Sequence, residues 1–533
     1  MKGLCRLRSF FQIDDLSSDA NKFAIGIGLL MSEYARNNKK RMSGILAHPT
    51  SFPSPYGIGD MGQCSYDFID FLVSSGQTLW QVLPLGPTGY GDSPYQSFSS
   101  FAGQTLIISP DLLLEDGLLA KEDLYDIPVW YSDTVDYGYV IHYKNGLYKK
   151  AYSNFLLLQE QDLIITQYND FCLQQESWLS DYTLYTAVKE ARNGESWLKW
   201  PDALRVPTPD VKEAYANKLE DTVNYHKFLQ FIFYRQWNGL KQYANDRNVF
   251  IVGDIPIFVA LDGSDTWANQ DLFCLDANGF PTEVSGVPPD YFSETGQLWG
   301  NPLYDWNVLK KQHYKWWIDR IEHQLDLVDY LRIDHFRGFE AYWSVPFGEK
   351  TAVNGNWKKG PGFDFFHMLR EALGNDLPIF AEDLGVITPE VEKLRDDFNL
   401  PGMKVLQFAF EDTGDNHFLP YNYPFNCLCY TGTHDNDTTA GWYRSARPEC
   451  RERAKLYMNS DCSDAAWDFI RLALGSTANY AIIPIQDILS IGTEGRMNTP
   501  GNPSGNWNWR FTKESLTNKI ANKLRTLTQL YGR

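Results

Sequence analysis

From Ser43 onward, short apolar runs alternate with longer stretches in which apolar residues recur every three or four positions. Eight such runs stand out, each closing on polar residues, glycine or proline: Gly44–Phe52, Thr78–Leu85, Val249–Val259, Tyr330–Phe336, Pro378–Leu384, Met403–Phe410, Asn426–Thr433 and Ala481–Leu489. The segment Ile251 to Val259 (IVGDIPIFV) is apolar on both faces, as a strand is when a parallel sheet buries it from both sides. Helical periodicity lies between the runs, for example at Trp316–Val328 and Gly362–Leu373. This alternation predicts an α/β fold, and eight strands predict a (β/α)8 barrel. On pattern alone a doubly wound sheet fits as well.

One interval breaks the rhythm. About 160 residues separate the second and third runs, too many for a plain loop. The stretch reads as helix at Leu147–Gln159 and Asn224–Ala244, so a mostly helical subdomain is predicted at about 105–245. Residues 1–41 stand outside the pattern, as an N-terminal extension before a catalytic unit at 42–533. Within that extension Phe23–Met31 is apolar but far shorter than the roughly 20 residues of a membrane span. It resembles a signal-peptide core only loosely, because no small-residue cleavage pattern follows and the start is not strongly basic; an upstream extension, a weak targeting segment and a misassigned start are the readings it allows.

Composition narrows the function. With 43% hydrophobic residues the chain has material for a large core. Its 48 basic against 67 acidic residues give a net charge of -19, which repels nucleic acid and anionic lipid and suits a neutral substrate. The eight cysteines are scattered. The one close pair, Cys427-x-Cys429, has poor zinc spacing, and strand alternation would put both thiols on one face. Free thiols in a reducing compartment, the cytoplasm, are expected. There is no Walker-type glycine loop to cradle a nucleotide's phosphates, and neither an organic cofactor nor a metal is expected.

Candidate chemistry sits where strands end, because a barrel of this kind works at the C-terminal mouth of its strands. The fourth run ends in Arg332-Ile333-Asp334-His335, the fifth in Ala381-Glu382-Asp383, and the seventh in Thr433-His434-Asp435-Asn436. Singly, these read equally well as an ion pair, a solvated loop start and a polar turn. Three together are less readily incidental, and glycosidic bond cleavage needs such a set: a carboxylate nucleophile, a carboxylic acid for the leaving oxygen, and a third acid that favours the charged transition state. Crowded carboxylates also separate in pKa, so one stays protonated near neutrality.

The motifs holding these acids are long. They include His48–Gly62 (HPTSFPSPYGIGDMG), Gly91–Gly103 (GDSPYQSFSSFAG), Val252–Val259, Pro288–Trp306 (PPDYFSETGQLWGNPLYDW), Arg332–Gly338 (RIDHFRG), Ala381–Gly385, Gly432–Asn436 and Gly495–Arg510. In that order they resemble the 4-α-glucanotransferases (amylomaltases or disproportionating enzymes), relatives of the α-amylases, from about Ser43 to the C-terminus. The departures are small: Gln104-Thr105 stands where Asn-Pro is usual, and Gly495 where Ala is.

The resemblance implies that Asp334 is the nucleophile, Glu382 the general acid/base and Asp435 the transition-state stabiliser. Arg332, on the same strand face as Asp334, would keep that carboxylate ionised. His434 would bind hydroxyls of the reacting sugar, Asp254 would be the supporting acid, and Tyr95 an aromatic platform. A lid loop is expected at about 287–302, with Tyr291, Phe292 and Trp299 offering ring faces to glucose units. The implied substrates are maltooligosaccharides and glycogen- or starch-type glucans, with glucose as an acceptor. The same residues would serve an α-amylase-type hydrolase, and a non-catalytic glucan-binding protein is the reading from a different class. Plastid relatives carry transit peptides, and the acidic residues before Met42 make a poor one.

Overall fold

The computed structural model describes residues 41–289, 293–411, 416–502 and 504–533. Eight strands form one parallel sheet: β1 (Met42–Leu46), β2 (Leu79–Gln81), β3 (Phe250–Pro256), β4 (Tyr330–Asp334), β5 (Ile379–Ala381), β6 (Gly402–Val405), β7 (Cys427–Tyr430) and β8 (Tyr480–Pro484). The order β6-β7-β8-β1-β2-β3-β4-β5 leaves β5 and β6 as its two edges. These edges meet: the Ala381 N–H donates to Pro401 O at 2.9 Å, and the Met403 N–H to Asp383 Oδ1 at 2.6 Å. The sheet is therefore a (β/α)8 barrel, wrapped by helices such as Lys315–Leu327 and Gly362–Leu373.

Alternation along each strand sorts its residues into two layers. Leu46, Val252, Phe380, Met403, Val405, Leu428, Tyr430 and Ile482 pack together inside the barrel. Their strand neighbours Ile45, Ile251, Leu331, Ile333, Ile379, Ala381, Ala481 and Ile483 pack outward against the helices. Cys427 and Cys429 share the outward face of β7, where both are buried and unpaired.

Several strands are shorter than their apolar runs because the chain turns as it leaves the sheet. After β1, Pro49 opens a single 3-10 turn, Pro49–Ser51. Beyond β6 the run continues as the 3-10 helix Leu406–Phe410, and β8 ends on Pro484, which has no N–H to donate and leads into the helix Ile485–Ile488. These turns carry apolar side chains into the layer above the sheet.

Between β2 and β3 the described elements are helical, including Tyr137–Phe155, Leu163–Gln174, Glu176–Ala191, Pro209–Lys218 and Glu220–Asn245. Tyr137–Phe155 starts ten residues before the helical stretch read at Leu147, because the Asp136 side chain caps it by accepting the Tyr139 N–H. The Glu220–Asn245 helix ties this region to the barrel through Trp237 Nε1, which donates to Leu327 O at 2.8 Å.

A second sheet, antiparallel and four-stranded, runs in the order Gln297–Pro302, Glu283–Val287, Ala341–Pro346, Asn356–Lys359. The stretch expected as a loop at 287–302 thus returns as a strand from Gln297 to Pro302. Gly296, just before that strand, has the left-handed backbone (φ 65°) that favours glycine. A Cβ there would meet Val287 O at 2.3 Å. No described helix is long and apolar enough to cross a membrane.

Candidate active site

The barrel interior changes character from bottom to mouth. Low in the barrel, Tyr330 stacks on Phe380 with ring centroids 5.3 Å apart, and Phe380 meets Tyr480 at a tilt at 4.9 Å. Two residues further along β4 the same face carries Arg332, and two further still Asp334. This succession puts a buried cation directly beneath the mouth.

Arg332 is 3% exposed and holds two acids at once. Its Nη1 donates to Asp254 Oδ2 at 2.5 Å and its Nη2 to Asp334 Oδ1 at 2.6 Å. The strand register provides the match, since Asp254 on β3 pairs with Arg332 on β4. Burial works against the guanidinium's charge, but Asp254 and Asp334 together hold it well above its ordinary value. Asp254 is pushed up by burial and drawn back by Arg332; Tyr95 Oη donates to its Oδ2 at 2.9 Å, while its Oδ1 is buried without a partner.

Glu382 follows β5, beside Asp334. Ile333 and Ala381 are partners in the sheet, and the Glu382 N–H donates to Ile333 O at 3.0 Å. His335, the residue after Asp334, adopts a left-handed backbone at φ 54°, uncommon for a side chain with a Cβ. That turn aims the His335 N–H at Glu382 Oε2 (2.8 Å), while the Leu384 N–H reaches Oε1 (2.8 Å). Burial, and after it the charge of Asp334, pushes Glu382 up to about 8. Near neutrality it is a positioned carboxylic acid next to a carboxylate that has its own counter-ion. Two crowded acids are thereby separated into donor and acceptor roles.

Asp435 approaches from beyond β7. Asn498 Nδ2 donates to its Oδ1 at 2.6 Å, and Arg496 Nη2 donates to its main-chain oxygen at 2.8 Å. His434 is buried and stacks on Tyr95, with centroids 5.1 Å apart and planes 17° from parallel. Burial lowers its pKa, which favours the neutral ring, so its 3.5 Å approach to Asp435 is a polar contact rather than an ion pair. Trp507 closes the group, 5.8 Å from Tyr95 and 5.9 Å from His434.

The structure therefore brings Asp254, Arg332, Asp334, Tyr95, Glu382, His434 and Asp435 to one end of the barrel, linked by hydrogen bonds and ring contacts. Trp299, on the second sheet, meets the His335 ring edge-on at 4.8 Å. Tyr291 and Phe292 lie outside the described residues. Three further residues had no role in the motif reading. Arg496 and Asn498 brace Asp435. His48, just past β1, accepts the Leu83 N–H on Nδ1 at 3.2 Å and lines a small cavity with His434. All three sit inside quoted motifs, so their positions were marked although their partners were not. Among the described residues no group of three or more His, Cys, Asp or Glu side chains is arranged to hold a metal.

Comparison with known proteins agrees with this geometry. Residues 47–517 match the family model described as 4-alpha-glucanotransferase. The 4-alpha-glucanotransferase of Synechocystis sp. is 50% identical over 497 residues, covering 93% of this chain and 98% of that protein. That of Thermus thermophilus is 46% identical over 500 residues, 92% of this chain and 98% of its own. Among solved structures, an amylomaltase from Streptococcus agalactiae in complex with acarbose aligns with a TM-score of 0.89 and 39% identity, over 93% of this chain and 100% of that one. The chain belongs to the 4-alpha-glucanotransferase family.

Proposed function

We propose that this chain transfers a segment of an α-1,4-glucan to the 4-hydroxyl of an acceptor glucan or of glucose, by a retaining double displacement. Asp334 attacks the anomeric carbon as the bond to the departing O4 breaks, and the Glu382 proton goes to that oxygen. The glucosyl chain is then an ester of Asp334. Glu382, now a carboxylate, takes the proton of the acceptor's 4-hydroxyl, whose oxygen attacks the same carbon and releases Asp334. Two inversions restore the α-linkage.

One observation carries this reading. Arg332 bridges Asp254 and Asp334, while two backbone N–H groups hold the neighbouring Glu382, which is protonated up to about pH 8. Asp435, braced by Asn498, supports the positive charge that develops on the sugar ring. Tyr95 and His434 form the wall against which that sugar packs, and Trp299 offers a ring face nearer the rim. Maltooligosaccharides and starch- or glycogen-type glucans are the substrates in this account. Among the described residues seven cysteines are free, four of them buried, which suits a cytoplasmic setting.

Incubation with maltotriose alone tests the function. Transfer produces free glucose together with longer maltooligosaccharides, and the number of reducing ends stays constant. Rising reducing ends with only shorter products would mean that water, not a glucan, takes the second step. No change at all would exclude both.

A further inference from the structure

Arg337 stands three residues after Asp334, in the 3-10 turn Phe336–Phe339 that follows β4. The turn begins at His335, whose N–H is one of the two donors to Glu382. We propose that Arg337 is a positioning residue for the acid/base, tying the loop after β5 to the turn after β4 so that both N–H groups hold the Glu382 carboxyl between them. The proposal rests on the glucan-transfer reading above and adds a residue to its machinery.

The tie is made through one carbonyl. Arg337 Nη1 donates to Val386 O, two residues beyond Leu384, whose N–H is the second donor to Glu382. Gly385, between Leu384 and Val386, has a left-handed backbone at φ 85°. A Cβ there would meet nothing, so the bend is not fixed by crowding. The Val386 side chain is 66% exposed, and at this position the loop is held through its main chain. The bond from Arg337 thus fixes the far side of the bend from which Leu384 reaches Glu382 Oε1.

Arg337 is itself firmly seated. It is buried, and its guanidinium lies 4.0 Å from the ring centre of Trp357 on the second sheet. The chain just past that strand is bonded to the same turn, where the Gly360 N–H donates to Glu340 O at 2.8 Å. The Glu340 carboxylate pairs with Lys359 instead of Arg337, and Arg337 Nε is buried without a partner. A buried cation without a carboxylate partner costs stability. What Arg337 contributes is geometry: a planar fork that reaches the carbonyl while its face rests on an indole.

Arg337→Met tests this. Methionine fills much of the same space against Trp357 and has no N–H, and an apolar side chain in place of a buried cation is often tolerated. Transfer from maltotriose needs the Glu382 proton, whereas fluoride leaves α-maltosyl fluoride without one. On maltotriose kcat is expected to fall about 10-fold, the scale of a small misplacement. The first burst of fluoride release should stay within about 2-fold of the unmodified protein. The high-pH fall of kcat/KM should also move upward, because the Leu384 N–H favours the ionised carboxylate.

Arg337→Lys keeps a donor for Val386 O and should recover much of the maltotriose rate. Any loss that remains in it should be confined to maltotriose; a loss shared with fluoride release overturns the proposal even if the methionine protein does not fold. Equal losses on the two substrates in Arg337→Met would make Arg337 a general support of the fold and overturn the proposal, as would full activity. Failure of the unmodified protein on maltotriose would remove the glucan-transfer reading and this proposal with it. A normal rate there, with equal losses in the variant, removes this proposal alone.

Discussion

Asn498 donates its side-chain amide to Oδ1 of Asp435 at 2.6 Å, so an acid that follows the seventh strand is held by the chain that follows the eighth. Arg496 reinforces the link from the same segment, binding Asp435 O and Asn498 O at 2.8 Å each. Asp435 is half-exposed, and without this brace its carboxylate is free to swing toward solvent.

Asn498→Ala is expected to lower kcat on maltotriose by about 10- to 100-fold, the scale on which small misplacements of a catalytic group act. Tm should move little, because Asn498 braces a loop and packs no core. Asn498→Asp puts a like charge against Asp435 and should be worse than Ala. Steady-state kinetics with thermal unfolding of both variants checks this, and a large Tm loss with unchanged kcat would assign Asn498 a structural role instead.

The barrel was legible in the chain because its eight strands are buried on both faces and leave continuous apolar runs. The run IVGDIPIFV encodes the depth of β3 and the site acid Asp254 together. Strand ends were less legible: Leu406–Phe410 is as apolar as β6 itself, and only the three-dimensional turn into a 3-10 helix removes it from the sheet. Asp334, Glu382 and Asp435 were marked as candidates by their motifs. Their arrangement could not be read there, because it depends on contacts between neighbouring strands and the loops after them, far apart in the chain. Arg332 with Asp254, His335 N–H with Glu382, and Asn498 with Asp435 are 78, 47 and 63 residues apart in the chain. The strand at Gln297–Pro302 was not expected because the resemblance placed a lid loop over 287–302.

Glu382 predicts how activity and stability follow pH. Its pKa is raised from 4.5 to about 8, so in the proposed mechanism the proton donor to the leaving group is present at neutrality and disappears as pH rises through about 8. A single-proton fall in kcat/KM is expected there, and Glu382→Gln should remove that limb along with most activity. For stability, the folded state holds this proton more tightly than the unfolded chain does. The contribution is fully present below about 4.5 and is lost as pH rises toward about 8. Glu382→Gln has no proton to lose, so its Tm advantage over the parent should widen from pH 5 to pH 8. A constant difference across that range would contradict the raised pKa.

Arg332 neutralises two acids from inside the barrel. Arg332→Ala leaves Asp254 buried without its cation, and a stability loss of roughly 3–5 kcal/mol is expected together with loss of activity. Arg332→Lys keeps the charge without the fork that spans Asp254 and Asp334. It should recover much of the stability and little of the rate. Chemical denaturation and maltotriose kinetics on both variants separate the two contributions, and full activity in Arg332→Lys would show that the two-pronged bridge is dispensable.

The central claim is that Asp334 carries the glucan between donor and acceptor. Glu382→Gln protein mixed with α-maltosyl fluoride tests it directly, because fluoride leaves without an acid and the missing base leaves the ester to accumulate. Peptide mass spectrometry should find a maltosyl adduct on the peptide that contains Asp334, absent from Asp334→Asn protein. A label on any carboxylate other than Asp334, Asp435 included, or turnover that persists in Asp334→Asn, would contradict the account.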